Sequence, residues 1–347
     1  MKIGSNIIDD NTLPFLIAEI GVNHNGDVGI ARKLIDVAKA AGANAVKFQT
    51  FEAESLVTSS APLANYQKKN DPDQLSQHAM LKSLELSRNE FIEIKSYCDE
   101  VGIYFISTPF DNKSADFLDE IGVAAIKISS ADLTNHFLLE HVSKLNSPLI
   151  ISTGMSSYSE VEDAISVVIK NKKKSDLALL HCVSNYPADP YDANLLCLKT
   201  LSQGFNITVG WSDHTLDSMT AISAVTLGAC IFEKHITLDK TMQGPDHKAS
   251  IEPDDFKDYV ETIQRVKKIL GDGVKRIMPS EQNTANVARR SLAASCNIMK
   301  GEIITRNMIT MLRPGTGMTI SSLESVVGKK AGADISVNTL FEENMLS

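Results

Sequence analysis

The chain has 347 residues, enough for one large domain and a small one. Its formal net charge of −9 argues against sequence-independent binding to nucleic acid or to an anionic membrane. The five cysteines (Cys98, Cys182, Cys197, Cys230 and Cys296) are odd in number and scattered; with no signal-peptide start and no bilayer-length apolar stretch, they point to a reduced, cytoplasmic protein without a membrane partner.

An apolar run recurs eight times, each ending in polar residues. The first spans 13–20 and ends in Glu19-Ile20-Gly21-Val22-Asn23-His24; an amphipathic helix is expected over 28–41. The second, 44–49, carries Lys47 and Gln49. A polar excursion over 51–83 follows, too long for an ordinary connection and of the kind that serves as a lid or binding loop. Within it, Lys68-Lys69-Asn70 reads as a solvated face. Helix resumes over 88–101. The third run, 103–107, ends in Ser107-Thr108-Pro109-Phe110, with a helix expected over 113–121.

The fourth run, 123–128, holds Lys127 and leads into Ser129-Ser130-Ala131-Asp132. The fifth, 148–151, ends in Ser152-Thr153-Gly154-Met155. Ser159 with Glu162 suggests a capping box, and Lys172-Lys173-Lys174 suits the basic end of the same helix. The sixth, 177–180, leads into His181-Cys182-Val183-Ser184-Asn185-Tyr186-Pro187. The seventh, Ile207-Thr208-Val209, precedes Gly210-Trp211-Ser212-Asp213-His214-Thr215. The eighth, Cys230-Ile231-Phe232, precedes Glu233-Lys234-His235, and Gly244-Pro245-Asp246-His247 follows. A last helix is expected over 253–270, with proline in its first turn.

Continuous apolar strands alternating with helices mean parallel strands buried on both faces. Eight units in this length suit a (β/α)8 TIM barrel, and a doubly wound open sheet carries the same periodicity. In a barrel the chemistry sits where strands end. Glu19, Lys47, Thr108, Lys127, Ser152, His181, His214 and His235 all fall in or just after the eight runs, which argues for an enzyme. His214 and His235 follow successive runs and read as a pair of metal ligands. His24 and His181 read as core or supporting residues. A lysine such as Lys127 amid apolar residues is costly without a function. Ser130, Ser152 and Ser212 can bind substrate or cap helices. Cys182 and His181 face opposite sides of a strand, so they do not form a nucleophile pair.

The barrel is assigned to residues 1–275, a linker to 276–288 and a small second domain to 289–347. That tail contains the apolar Ser291-Leu292-Ala293-Ala294, a turn at Lys300-Gly301-Glu302 and the loop Leu312-Arg313-Pro314-Gly315. So short a unit buries little core and is expected to dock on a barrel or on a partner subunit.

Seven of these stretches in order, from Ala18-Glu19-Ile20-Gly21-Val22-Asn23-His24 to Gly244-Pro245-Asp246-His247, resemble the bacterial sialic acid synthases, also called N-acetylneuraminate synthases, and their relatives that make legionaminic acid. The tail resembles that family's antifreeze-like SAF domain. The resemblance implies condensation of phosphoenolpyruvate with N-acetylmannosamine, or a close N-acetylated mannose derivative, to a nine-carbon keto acid and phosphate. The alternative acceptor is 2,4-diacetamido-2,4,6-trideoxymannose, giving N,N'-diacetyllegionaminate.

It implies Mn2+, with Mg2+ or Co2+ as alternatives, on His214 and His235. Phosphoenolpyruvate would be bound by Lys47, Thr108, Lys127, Ser130, Ser152, Ser184 and Ser212. The sugar would be bound by Glu19, Gln49, Asp132, Tyr186, Asp246 and Arg313. Glu19, Lys47, Lys127 and the two histidines would form the catalytic set. A domain-swapped homodimer would bring Arg313 from the partner. Ser184 stands where asparagine is frequent and Asp132 where glutamate is frequent, which leaves the acceptor open. A metal-dependent pyruvate aldolase and a non-catalytic sugar-binding barrel are the competing readings, and phosphate release separates them.

Overall fold

The computed structural model describes residues 1–63 and 76–347, so Lys68-Lys69-Asn70 and the middle of the excursion lie outside the described residues. The chain divides into two units, Met1–Asp272 and Gly273–Ser347.

The first unit opens with a two-stranded ribbon, β1 (Lys2–Ile3) and β2 (Asn6–Ile7). Eight parallel strands then close a barrel: β3 (Phe15–Gly21), β4 (Ala45–Thr50), β5 (Tyr104–Pro109), β6 (Ala125–Ile128), β7 (Leu149–Ser152), β8 (Leu177–Cys182), β9 (Thr208–Asp213) and β10 (Ile231–His235). Closure is made by β10 pairing with β3, with His235 in register with Glu19, which removes the open doubly wound sheet.

Side chains alternate along each strand, so one set faces the helices and the other faces the barrel axis. Leu16, Val46, Phe48, Phe105 and Trp211 belong to the core between strands and helices. Phe15, Ile17, Ala45, Ile106, Ala125, Ile150, Leu180 and Ile231 form a separate core within the barrel, plugged below by Ile3 and Ile8. The inward positions change from apolar to polar toward the strand ends: Ile17 to Glu19, Ala45 to Lys47, Ile106 to Thr108, Ala125 to Lys127, Ile150 to Ser152, Ile231 to Glu233. A packed apolar floor therefore carries a polar chamber.

Helices cover the outside, among them Val28–Ala40, Arg88–Val101, Asn112–Glu120 and Pro253–Leu270. The helix after β7 departs from expectation. It spans Tyr158–Val168 and is capped by Ser157 with Glu160, not by Ser159 with Glu162. Both pairs have the spacing of a capping box, and the earlier one starts the helix. The helix stops at Val168, before Lys172-Lys173-Lys174. Two of those lysines instead reach carbonyls of neighbouring segments: Lys172 donates to Leu145 O, and Lys174 to Phe205 O at 2.7 Å.

In the second unit, a short helix at Gln282–Ala288 occupies the segment read as linker. Strands β11 (Ser291–Ala294) and β12 (Ile309–Leu312) pair antiparallel. Leu292, Ile298, Ile304, Val326, Ile335 and Phe341 make its small core.

Candidate active site

Every nominated residue of the barrel unit lines one cavity of about 650 Å3 at the carboxyl ends of the strands. Arg313 belongs to the second unit, directly after β12. The floor of the cavity is a buried charge cluster. Lys47 Nζ lies 2.7 Å from Glu19 Oε2 and 3.9 Å from Glu233 Oε2, and donates to Thr108 Oγ1 at 3.3 Å. Lys127 Nζ donates to Ser152 Oγ at 2.5 Å and to Ile128 O at 2.9 Å. Ser212 Oγ donates to Glu233 Oε1 at 2.9 Å.

Burial pushes Glu19 up to about 7; Lys47 works against that shift and Glu233 adds to it. Burial also works to neutralise Lys47, but Glu19 and Glu233 outweigh it and hold the ammonium above its ordinary value. Burial pulls Lys127 down against the attraction of Glu233. For Glu233, burial is outweighed by Lys127 and Lys47, which hold its carboxyl below the usual range. The floor thus sets two buried lysines beside hydroxyl groups, an arrangement chemically suited to a small anion.

Beside this floor stand two imidazoles, with ring centroids 5.6 Å apart. His214 Nδ1 donates to Val183 O at 2.7 Å, which fixes the tautomer and leaves Nε2 as the lone-pair nitrogen. His235 is buried and its Nδ1 has no hydrogen-bond partner. Burial lowers both pKa values, with His214 adding to the effect on His235, so both rings stay neutral. Tyr186 packs against both rings, at 4.2 and 5.5 Å. Among the described residues no group of three or more His, Cys, Asp or Glu side chains is placed to hold a metal ion. Two neutral imidazoles, one with a fixed tautomer and one with an orphaned buried nitrogen, nevertheless suit a divalent ion whose other ligands come from substrate and water.

The rest of the chamber is held by loops. Gly154 N donates to Ser130 Oγ at 3.0 Å, and Ser130 Oγ lies 3.1 Å from Cys182 Sγ. A Cβ at Gly154 would fall within 3.0 Å of Ser184 Oγ, Ser130 Oγ and Cys182 Sγ, so any side chain there would displace these groups. Gln49 Nε2 donates to Glu19 Oε1 at 3.3 Å. Asp246 is buried, and burial pushes its carboxyl up to about 6. Its loop is tied down because Asn23 Nδ2 donates to Ser250 Oγ, which in turn donates to Asp246 O, each at 2.8 Å. His24 accepts from Gly26 N and stacks on Phe48, and His181 bonds Ala193 O; neither lines the cavity.

Two residues of the site escaped the sequence reading. Glu233 lies at the cavity floor, and Asn23 anchors the Asp246 loop. Both sat inside noted motifs, but nothing in one sequence shows that β10 places Glu233 opposite Lys47 and Lys127.

The sequence model of the NeuB family matches residues 34–275, and that of the SAF domain matches residues 289–347. The chain belongs to the NeuB family. It is 43% identical to the N,N'-diacetyllegionaminic acid synthase of Legionella pneumophila over 94% of this chain and 92% of that one. It is 33% identical to the human N-acetylneuraminate-9-phosphate synthase over 95% and 92%. Among solved structures, the sialic acid synthetase of Leptospira borgpetersenii superposes with a TM-score of 0.73 at 37% identity, covering 82% of this chain and 94% of that one. In this NeuB chain Asp132 is held by its own turn: it accepts from Ser129 Oγ at 2.7 Å and from Asn135 Nδ2 at 3.2 Å.

Proposed function

We propose that this chain condenses phosphoenolpyruvate with an N-acetylated amino sugar in its open aldehyde form, with water, to give a nine-carbon 2-keto acid and phosphate. The observation that carries this reading is the joint presence, in one cavity, of two buried lysines ringed by hydroxyls and two neutral imidazoles. A pyruvate aldolase has no phosphate to bind and no need of both lysines. A non-catalytic sugar binder needs neither the lysines nor the paired histidines.

Lys47 and Lys127 hold the carboxylate and phosphate of phosphoenolpyruvate, and Thr108, Ser130, Ser152, Ser184 and Ser212 donate to the remaining oxygens. Glu19, Gln49, Asp132, Tyr186 and Asp246 hold the sugar. With its pKa near neutrality, Glu19 can give or take a proton at a sugar oxygen. His214 and His235 would hold a divalent ion, Mn2+ first, which when bound supplies a Lewis acid that polarises the aldehyde. Carbon 3 of phosphoenolpyruvate bonds to the aldehyde carbon, and the aldehyde oxygen gains a proton. Water adds to carbon 2, and the bond from carbon 2 to the bridging oxygen breaks. Phosphate leaves with that oxygen and carbon 2 becomes the ketone.

For the acceptor we favour 2,4-diacetamido-2,4,6-trideoxymannose over N-acetylmannosamine. Among the described residues, the cavity wall supplied by the excursion is mostly apolar, with Leu56, Val57, Met80 and Leu81 beside Gln77, and Leu84 just after it. The cations among the described lining residues are Lys47 and Lys127, both engaged at the floor. Such a wall suits acetamido methyls and a deoxygenated carbon 6. The kinship with a legionaminic acid synthase points the same way. The assembly we propose is a two-fold pair in which Arg313 serves the partner's barrel. Exposed apolar residues beyond the strand ends, among them Phe137, Tyr191, Leu216 and Met219, suit contact with a second copy.

The test is phosphate release from phosphoenolpyruvate, with Mn2+ and each acceptor in turn. Release with the diacetamido sugar well above that with N-acetylmannosamine is expected. The reverse order would overturn the choice of acceptor, and no release with any aldose would overturn the reaction.

A further inference from the structure

On the outer side of the same two strands lies a second buried charge pair. Asp213 and Lys234 are register neighbours on β9 and β10, and each directly precedes one of the two cavity histidines. Alternation turns His214 and His235 toward the cavity and turns Asp213 and Lys234 toward the helices. Lys234 Nζ lies 3.1 Å from Asp213 Oδ2, with side-chain exposures of 2% and 0%. Tyr259, from the helix Pro253–Leu270, donates to the same oxygen at 3.1 Å, and its ring lies 5.3 Å from the ammonium. Asp213 Oδ1 accepts from Thr215 N at 2.9 Å and from Thr215 Oγ1 at 2.7 Å. Lys234 also donates to the carbonyl of Thr215.

His214 is therefore flanked by two residues pinned to each other. Both of them are tied to Lys234, the neighbour of His235. We propose that Asp213, Lys234 and Tyr259 are positioning residues that brace the two histidines at one fixed separation for a divalent cation; the proposal rests on reading those histidines as the ion's ligands. A buried ion pair is a poor route to stability, because apolar replacements are often neutral or stabilising. What it does supply is orientation of the groups attached to it, and residues just outside a metal's ligands set affinity tenfold to a hundredfold. The pair touches neither cavity nor substrate, so its influence passes through the backbone at His214 and His235.

The experiment is titration of Mn2+ into the full chain by calorimetry without substrate, alongside phosphoenolpyruvate binding measured in chelator. The variants are Asp213→Asn, Lys234→Met and Tyr259→Phe, each checked for folding by circular dichroism. Mn2+ affinity should fall about tenfold or more in the first two and about threefold in Tyr259→Phe, which removes one hydroxyl and strands no charge. Phosphoenolpyruvate affinity should stay at the wild-type value in all three. Folded variants that bind Mn2+ as wild type does overturn the brace. So does a parallel loss of both affinities, the mark of a general structural role. Should the first two variants fail to fold, Tyr259→Phe alone decides. Wild-type protein that takes no Mn2+ overturns the ligand reading, and the brace with it, which separates the two failures.

Discussion

Glu19 and Lys47 occupy register-matched positions on adjacent strands, and the Lys47 ammonium lies 2.7 Å from Glu19 Oε2 with both side chains buried. Burial nevertheless leaves Glu19 shifted from its usual 4.5 to about 7. Between those two values the folded chain binds more protons at this site than the unfolded chain does. Stability contributed by Glu19 therefore falls as pH rises from about 4.5 to about 7, by roughly 3 kcal/mol. Glu19→Gln should remove that decline. Melting temperatures of wild type and variant across pH 4.5 to 8 check this, and parallel curves would count against it.

Lys47→Ala and Lys127→Ala each delete a cation at the cavity floor. A hydrogen bond to a charged group is worth about 1.5–3 kcal/mol, so kcat/KM for phosphoenolpyruvate should fall roughly ten- to hundredfold or more. Steady-state kinetics decide. Wild-type values in both variants would remove these lysines from the site.

Glu233 faces Lys47 and Lys127 and anchors Ser212. Glu233→Gln leaves the two lysines with less buried counter-charge, and breaking such a set costs about 3–5 kcal/mol. The melting temperature should drop, and saturating phosphoenolpyruvate should raise it more than it does in wild type, because the anion restores the missing charge. Equal ligand-induced shifts in the two proteins would contradict that role.

The barrel was legible because its strands are buried on both faces and read as unbroken apolar runs. Two parts of the site, Glu233 and Asn23, were not legible in the same way. Alternation from His235 puts Glu233 on the cavity face of β10 and Lys234 on the helix face, but it does not show that Lys47 and Lys127 come to face Glu233 across the barrel. The helix Tyr158–Val168 begins two residues before the start that Ser159 with Glu162 suggests, because Ser157 with Glu160 forms an overlapping frame. Helix starts without a competing frame, such as the one capped by Ser87, fell where expected. Asn23 was missed because its partners, Ile236 O and Ser250 Oγ, lie more than two hundred residues along the chain.

The proposed pairing of subunits makes Arg313 serve a neighbouring barrel. Co-expression of His214→Ala with Arg313→Ala at equal levels should then restore about a quarter of wild-type activity. Half the random dimers are mixed, and each mixed dimer has one whole site of two. No recovery, with mixed dimers demonstrated, would reject the exchange and leave the chemistry untouched.

The most direct test of the condensation itself uses phosphoenolpyruvate labelled with 18O at the bridging oxygen, turned over with the acceptor sugar and analysed by mass spectrometry. Cleavage between carbon 2 and that oxygen sends the label into phosphate, and the keto acid takes its new oxygen from water. Label retained in the keto acid would mean attack at phosphorus and would contradict the addition of water at carbon 2.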